Sequence, residues 1–287
     1  MLELRTVIDA LATRFSRSAI AAFNINDMTD MHGVMEAAMK MGRPLIMNTS
    51  VSAMRYFGIN FVREMYKAAT MTSPVPLYLM LDHSETVEDC IECAQNGYSV
   101  VMFDGSALSF EENVRRTCEV VKAAHKVGAL VEGEIGRLPG REETLNVANT
   151  SAFLTKPEEA REFAEMTGVD LLAISFGTAH GFYKSKPYLN FGVIERTHAL
   201  TSVPLVMHGG TGVPDEDVRR AISLGVKKVN IGTEVKNAYT RAMREQVTAL
   251  PKEIDPRKIL IHAKKAVQRV AEEKVALAET PRAEEFQ

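Results

Sequence analysis

Three of the seven histidines stand where an apolar run stops: His83 closes PLYLMLDH, His180 follows LLAISFGTA, and His208 follows VPLVM. Imidazole is the commonest protein ligand for zinc, and a catalytic zinc often takes three protein ligands and keeps one position open. Acids accompany the rings. Asp82 precedes His83, Asp104 follows VVMF, and Glu132 and Glu134 lie in LVEGEI. Two glycine-containing turns, HGGTG from His208 and NIGT from Asn230, follow runs of the same kind. Bare backbone N–H groups in such turns can cradle a phosphate. All of these groups would gather at one edge if the runs were strands of one parallel sheet.

The elements that must position them alternate along the chain. Strand-like runs fall near Ile20–Asn24, Pro44–Asn48, Val75–Asp82, Ser99–Phe103, Ala129–Glu134, Asp170–Ser175, Pro204–His208 and Lys228–Ile231. Helical stretches separate most of them, with a helix expected over Ser52–Thr70 and two more at Glu234–Leu250 and Pro256–Leu277. Short β-rich runs with intervening helices predict an α/β fold, a (β/α)8 TIM barrel. A doubly wound open sheet would want a glycine-rich turn after its first strand, and FNINDM has no glycine there. No linker or break in composition divides the chain. It reads as one domain, 1–287, with a C-terminal helical extension from about 256 and a frayed tail from Glu279.

Composition bounds the partners. A net charge of -3, with no basic run, argues against nucleic acid. No apolar run is long enough to span a bilayer, and the N-terminus has no signal-peptide pattern. Three cysteines suit a reducing cytosol, and Cys90 and Cys93 read as two thiols on a helix. A cytoplasmic enzyme is expected. His32, His125, His198 and His262 fall on helical stretches and read as surface or packing residues.

In a TIM barrel the active site lies at the C-terminal ends of the strands. That rim carries Asn24, Ser50, Asp82, His83, Asp104, Glu132, Glu134, His180, His208, Gly209, Gly210, Thr211, Asn230 and Thr233. Lys184, four residues beyond His180, adds a point charge for a phosphate. The long stretch after the fifth strand has no clear period and carries Glu142 and Glu143, a pattern of lids that bring a proton shuttle over a site. A metal, a phosphate cradle, an Asp beside a metal-binding His and an acidic lid point to carbanion chemistry next to a carbonyl, as in aldol cleavage of a phosphorylated ketose. A Schiff-base mechanism would want a buried strand lysine. The third to seventh strands have none, and Lys227 and Lys228 read as flanking the wrong end of the eighth. Metal-assisted phosphoester hydrolysis and non-catalytic sugar-phosphate binding are the rival readings.

The stretches AFNIND, LDHS, MFDGS, EGEIGRLPGREE, ISFGTAHGFYK, VPLVMHGGTGVP, GVKKVNIGTE and DPRK together resemble the class II, zinc-dependent ketose-bisphosphate aldolases over nearly the whole chain. The resemblance implies an oligomeric TIM barrel, a homodimer or homotetramer. It implies that His83, His180 and His208 hold the zinc and that Asp104 and Glu134 serve a second divalent ion. Asp82 would be the acid/base at the C4 hydroxyl, and Glu142 would exchange the proton on the dihydroxyacetone-phosphate carbon. Gly181, Lys184, Gly209, Thr211, Asn230 and Thr233 would contact dihydroxyacetone phosphate near a monovalent cation, and Arg257 would reach the distal phosphate. The chain departs from the family pattern at LDHS, at Pro139, at Thr211, at MNTSVS and in its C-terminal residues. These departures touch the aldehyde side more than the metal. The HGG turn favours fructose 1,6-bisphosphate over tagatose 1,6-bisphosphate.

Overall fold

The computed structural model describes residues 2–136, 154–181, 183 and 187–286. Eight strands close into a parallel barrel in chain order: β1 (Ile20–Asn24), β2 (Leu45–Ser50), β3 (Leu77–Ser84), β4 (Val100–Phe103), β5 (Leu130–Ile135), β6 (Leu171–Ile174), β7 (Leu205–Met207) and β8 (Val226–Ile231). Closure is made by β8 pairing parallel to β1, with Ile20 opposite Lys228 and Ala22 opposite Asn230. The helices are α1 (Leu4–Thr13), α2 (Met28–Met41), α3 (Val51–Phe57), α4 (Ile59–Thr72), α5 (Val87–Gln95), α6 (Phe110–His125), α7 (Pro157–Thr167), α8 (Phe191–Leu200), α9 (Asp215–Ser223), α10 (Thr233–Ala249) and α11 (Pro256–Leu277).

Alternation along each strand divides the core into two layers. One set packs between the strands and the helices: Ala21 and Phe23 on β1, Leu45 and Met47 on β2, Leu79 and Leu81 on β3, Val131 on β5. The other set fills the barrel: Ile20 and Ala22, Ile46, Tyr78 and Met80, Val100 and Met102, Leu130, Leu171 and Ala173, Val206. Continuing the inward series toward the C-terminal ends reaches Asn24, Asn48, Asp82, Asp104, Glu132 and Glu134, and His208. The barrel interior therefore changes from aliphatic to polar partway up most of the strands, and on β8 the inward residues Lys228 and Asn230 are both polar. That change places the chemistry at the mouth.

The barrel floor differs from expectation. The first residues form α1, whose Leu4, Val7, Ile8 and Leu11 pack into the inner layer. The C-terminal residues are docked, not frayed. Thr280 is fully buried and donates through Oγ1 to the Ala19 carbonyl at 2.6 Å, and Ala19 N–H donates to the Ala278 carbonyl at 2.9 Å. A 3₁₀ turn over Ala283–Phe286 lays the buried Phe286 edge-on against Phe15, with ring centroids 5.4 Å apart. An apolar anchor far along the chain holds this tail, which polar composition alone does not reveal.

Three further boundaries differ for local reasons. β3 starts at Leu77, because Pro76 has no N–H to give the ladder. The helix expected over Ser52–Thr70 is two, broken at Gly58, whose φ of 83 no other residue type holds as readily. β8 begins at Val226, two residues earlier than its charged residues suggested, so both lysines belong to the strand.

Candidate active site

Asp82 is buried on β3, and each of its carboxylate oxygens has an amide donor. Asn230 Nδ2 donates to Oδ1 at 3.1 Å and Asn24 Nδ2 donates to Oδ2 at 3.1 Å. Two donors from β8 and β1 therefore fix the plane of one carboxylate at the barrel mouth.

His83 follows directly, yet it faces the same mouth. Consecutive strand residues ordinarily point to opposite faces. Here the ladder slips: Leu81 pairs with Val101, but Ser84 pairs with Phe103, so β3 carries one extra residue. His83 itself sits at φ 50, in the left-handed region that a non-glycine residue rarely occupies. The bulge turns its ring inward. Ring centroids of His83 and His180 are 4.8 Å apart, those of His83 and His208 4.5 Å, and those of His180 and His208 6.2 Å. The three rings predicted from their strand ends are one cluster.

The acids follow from alternation on β5 and from the end of β4. Asp104 Oδ2 is 2.9 Å from His83 Nδ1, and its Oδ1 accepts from Ser106 Oγ at 2.6 Å and Ser106 N at 3.1 Å. Glu134 Oε2 stands 3.6 Å from the same imidazole nitrogen. Burial alone would push the His83 imidazole down, but the charges of Asp82, Asp104 and Glu134 hold it well above the usual histidine range. Asp104, despite its burial, is held below the ordinary carboxylate range by His83 and by Ser106. Glu134 is driven well up by burial first and then by the Asp104 charge. His208 is driven well down by burial and by the cationic neighbours His83 and Lys228.

These directions describe crowded acids gathered around imidazoles, an arrangement that a cation would relieve. Two buried polar atoms at the centre, His83 Nε2 and Glu134 Oε2, have no hydrogen-bond partner among the described residues. The ligand atoms of Asp82, His83 and His208 lie within 4.8 Å of one another, as do those of His83, Asp104 and Glu134. A donor set of imidazole nitrogen and carboxylate oxygen suits a divalent first-row ion. The residues present fit a metal, and the overlap of the two groups at His83 fits two adjacent positions for it.

Beside this cluster is a small pocket lined by His180, Gly181, Gly209, Thr211, Asn230, Gly232 and Thr233. It opens at the N-terminus of α10, whose dipole favours an anion, and there Glu234 N–H donates to Thr211 Oγ1 at 3.2 Å. Gly209 has φ 66, and a Cβ there would lie 2.7 Å from the Ala179 carbonyl carbon. Tyr183 ties the segment after β6 to the glycine turn after β7: its hydroxyl accepts from Ala179 N–H at 2.8 Å and lies 3.1 Å from the Gly209 carbonyl.

Other predicted residues are placed differently. Ser50 is in register with Asp82 and caps α3, accepting from Ala53 N–H at 3.2 Å. Gly210 packs its backbone against the Asn230 carbonyl, where a Cβ would be at 3.0 Å. Arg257 is exposed at the start of α11, and its guanidinium pairs with Asp255 at 2.9 Å; none of the mouth residues is among its described partners. Glu142, Glu143, Pro139 and Lys184 lie outside the described residues.

Two members of the cluster have no role assigned from sequence: Glu132, which the sequence places on the rim, and Lys228, which it does not. Glu132 Oε1 is 2.7 Å from His208 Nε2, and Lys228 Nζ is 2.9 Å from Glu132 Oε2. Lys228 is fully buried inside the barrel and not at its far end, which corrects the reading from sequence; Lys227 is the one that reaches the floor, donating to the Ser16 carbonyl at 2.5 Å. The signal was present as period two: Glu132 shares a face with Glu134, and Lys228 shares one with Asn230.

Among the described residues no helix is long and apolar enough to cross a membrane. The sequence profile described as fructose-bisphosphate aldolase class-II matches residues 7–281. A fructose-bisphosphate aldolase of Thermus caldophilus is 40% identical over 281 residues, covering 90% of this chain and 92% of its own length. The crystal structure of the YdjI aldolase from Escherichia coli K12 superposes with a TM-score of 0.85 at 30% identity and covers all of both chains. The fructose-bisphosphate aldolase of Campylobacter jejuni shares the fold, with a TM-score of 0.82 at 22% identity over 98% of this chain and 95% of its own. A match of this extent, centred on a barrel mouth whose imidazoles and carboxylates fit a metal, makes this chain a member of the class II fructose-bisphosphate aldolase family, which are metal-dependent lyases.

Proposed function

We propose that this enzyme reversibly cleaves fructose 1,6-bisphosphate to dihydroxyacetone phosphate and an aldehyde, using Zn²⁺ held by His83, His180 and His208. The observation that carries the reading is the carboxylate of Asp82, held by two amides directly beside His83 and His208. A bound divalent ion would polarise the ketose carbonyl and stabilise the enediolate. Asp82 takes the proton of the C4 hydroxyl as the C3–C4 bond breaks and returns it in the condensation direction. Its oxygens are already oriented by Asn24 and Asn230, so little reorganisation is needed when charge develops.

The pocket at Gly181, Gly209, Thr211, Asn230 and Thr233 takes the phosphate of dihydroxyacetone phosphate, with the adjoining Gly210 allowing the close turn and Lys184 and a monovalent cation as further counter-charges. Asp104 and Glu134 supply a second divalent position. Ser50 and Asn24 face the sugar, and Arg257 contacts the distal phosphate, a role that from its exposed position would be played in a neighbouring subunit. Glu142 is assigned the proton on the dihydroxyacetone-phosphate carbon by resemblance. The enzyme is read as one domain, a homodimer or homotetramer, and cytoplasmic.

Fructose 1,6-bisphosphate is favoured by the HGG turn and by the name of the Thermus relative. A panel of ketose phosphates, read by release of triose phosphate, tests the assignment. Fructose 1,6-bisphosphate should give the highest kcat/KM, and activity should vanish in a strong chelator and return with Zn²⁺. Preference for tagatose 1,6-bisphosphate would move the substrate, and activity surviving the chelator would remove the reaction class.

A further inference from the structure

Lys228 has no role in the aldol reading, yet it is a fully buried ammonium on β8, two residues from Asn230 and on the same face. A buried ammonium persists only when it is paired. Its Nζ donates to Asn230 Oδ1 at 2.7 Å and forms an ion pair with Glu132 Oε2 at 2.9 Å, and both of these partners reach the metal-site residues. We infer that Lys228 is a positioning residue that sets the amide orientation of Asn230 and, through Glu132, the tautomer of His208.

The inference follows from what each group can do. An ammonium only donates, so its bond to Asn230 decides which amide atom faces it. Oδ1 must point to Lys228, and Nδ2 is left to reach Asp82 Oδ1 and His208 Nδ1, both at 3.1 Å. With the orientation reversed, the amide oxygen would face the Asp82 carboxylate, two acceptors in contact. An ionised carboxylate only accepts, so Glu132 Oε1 at 2.7 Å requires the proton of His208 on Nε2. The lone pair of Nδ1 then accepts from Asn230 Nδ2 and is the one that would be offered to a bound ion. The ion pair with Lys228 is not an aligned hydrogen bond, and Glu132 Oε2 has no other partner among the described residues. The lysine therefore acts on Glu132 by its charge and on Asn230 by its donor.

A purely structural ion pair makes a different prediction. Replacing both members of a buried pair by groups of similar shape is often neutral for stability. The decisive variant is Lys228→Met combined with Glu132→Gln, which removes both charges and keeps the volume. It can be made even where Lys228→Met alone fails to fold with an unpaired Glu132. We expect this double variant to melt within a few degrees of wild type and to bind Zn²⁺ about 10- to 100-fold more weakly in competition with a chelating dye. Nitrogen-15 spectra of the metal-free protein should show His208 in the Nε2–H form in wild type and in mixed forms in the variant. The expected kcat falls more than KM changes, an effect that rests on the aldolase reading. A folded double variant with wild-type Zn²⁺ affinity and an unchanged His208 spectrum would overturn the inference. If wild type itself cleaved no ketose phosphate, the substrate reading would fail, and the affinity and spectral arms would still decide the role of Lys228.

Discussion

Gly209 offers a direct test of how the pocket proposed for phosphate is built. Alanine there meets two obstacles. Its backbone has φ 66, and placing an L-residue in that region costs about 1–2 kcal/mol. The new Cβ would also press on the backbone of Ala179, 2.7 Å from the carbonyl carbon and 3.0 Å from the nitrogen. Backbone cannot swing away as a flexible side chain can, and overpacking of this kind costs about 1–3 kcal/mol more. The two obstacles separate cleanly, because Gly42 has φ 65 with nothing within 4 Å of its Cβ position. Gly42→Ala is therefore the control for the dihedral cost alone, about 1–2 kcal/mol with no loss of activity. Gly209→Ala should cost about 2–5 kcal/mol or relieve that cost by displacing Ala179, and with it His180 and Gly181. A displacement of about 1 Å at such groups reduces turnover about 100-fold. Melting curves and initial rates of triose-phosphate release, measured on both variants, separate the effects. Equal kcat/KM in the two variants would refute the claim that the close approach to Ala179 shapes the site.

Two further perturbations act outside the cluster of histidines and acids. Phe286→Ala should destabilise the fold by about 3–5 kcal/mol, since the ring is buried against Phe15 and α1 at the floor, while kcat of the folded fraction stays at the wild-type value; denaturant unfolding and rates at low temperature check it, and an unchanged unfolding midpoint would restore the frayed tail. The carboxyl of Asp30 is pushed up from 3.8 to about 6, mainly by burial and against hydrogen bonds from Asp27 and Asn26, so between those values the folded protein binds more protons than the unfolded chain and stability falls by up to about 3 kcal/mol as pH rises from about 4 to about 6. Above that window the contribution is constant. Asp30→Asn should flatten this part of the stability curve, and an unchanged slope between pH 4 and 6 would exclude Asp30 as its source.

The order of strands and helices was legible because barrel strands buried on both faces read as short apolar runs, and because polar residues interrupt each run at the mouth. The same logic located His180 and His208. It failed at Lys228, where a charge inside the strand was read as a strand boundary. A buried lysine looks like a surface lysine until its acid is known, and Glu132 lies on a distant strand brought close only by barrel closure. His208 and Glu132, 76 positions apart, show the same problem. It also failed at the floor, where Thr280 and Phe286 are held by Ala19 and Phe15 from the opposite end of the chain.

The pair Asp82–His83 shows a different limit. Alternation assigns one of two adjacent residues to the barrel interior and the other to the helical layer. The dipeptide alone gives no sign that both serve one mouth. What permits it is the extra residue that β3 inserts between its pairings with Val101 and Phe103, together with the left-handed backbone at His83. Such a conformation costs energy, and it persists where the surroundings over-determine it. Here they do: the His83 ring is held by Asp104 and packed edge-on against two other imidazoles. The strain and the crowding have one consequence, which is that an acid and an imidazole adjacent in the chain face the same barrel mouth. A regular strand of the same composition would carry the Asp82 carboxylate without the imidazole beside it, or the imidazole without the carboxylate.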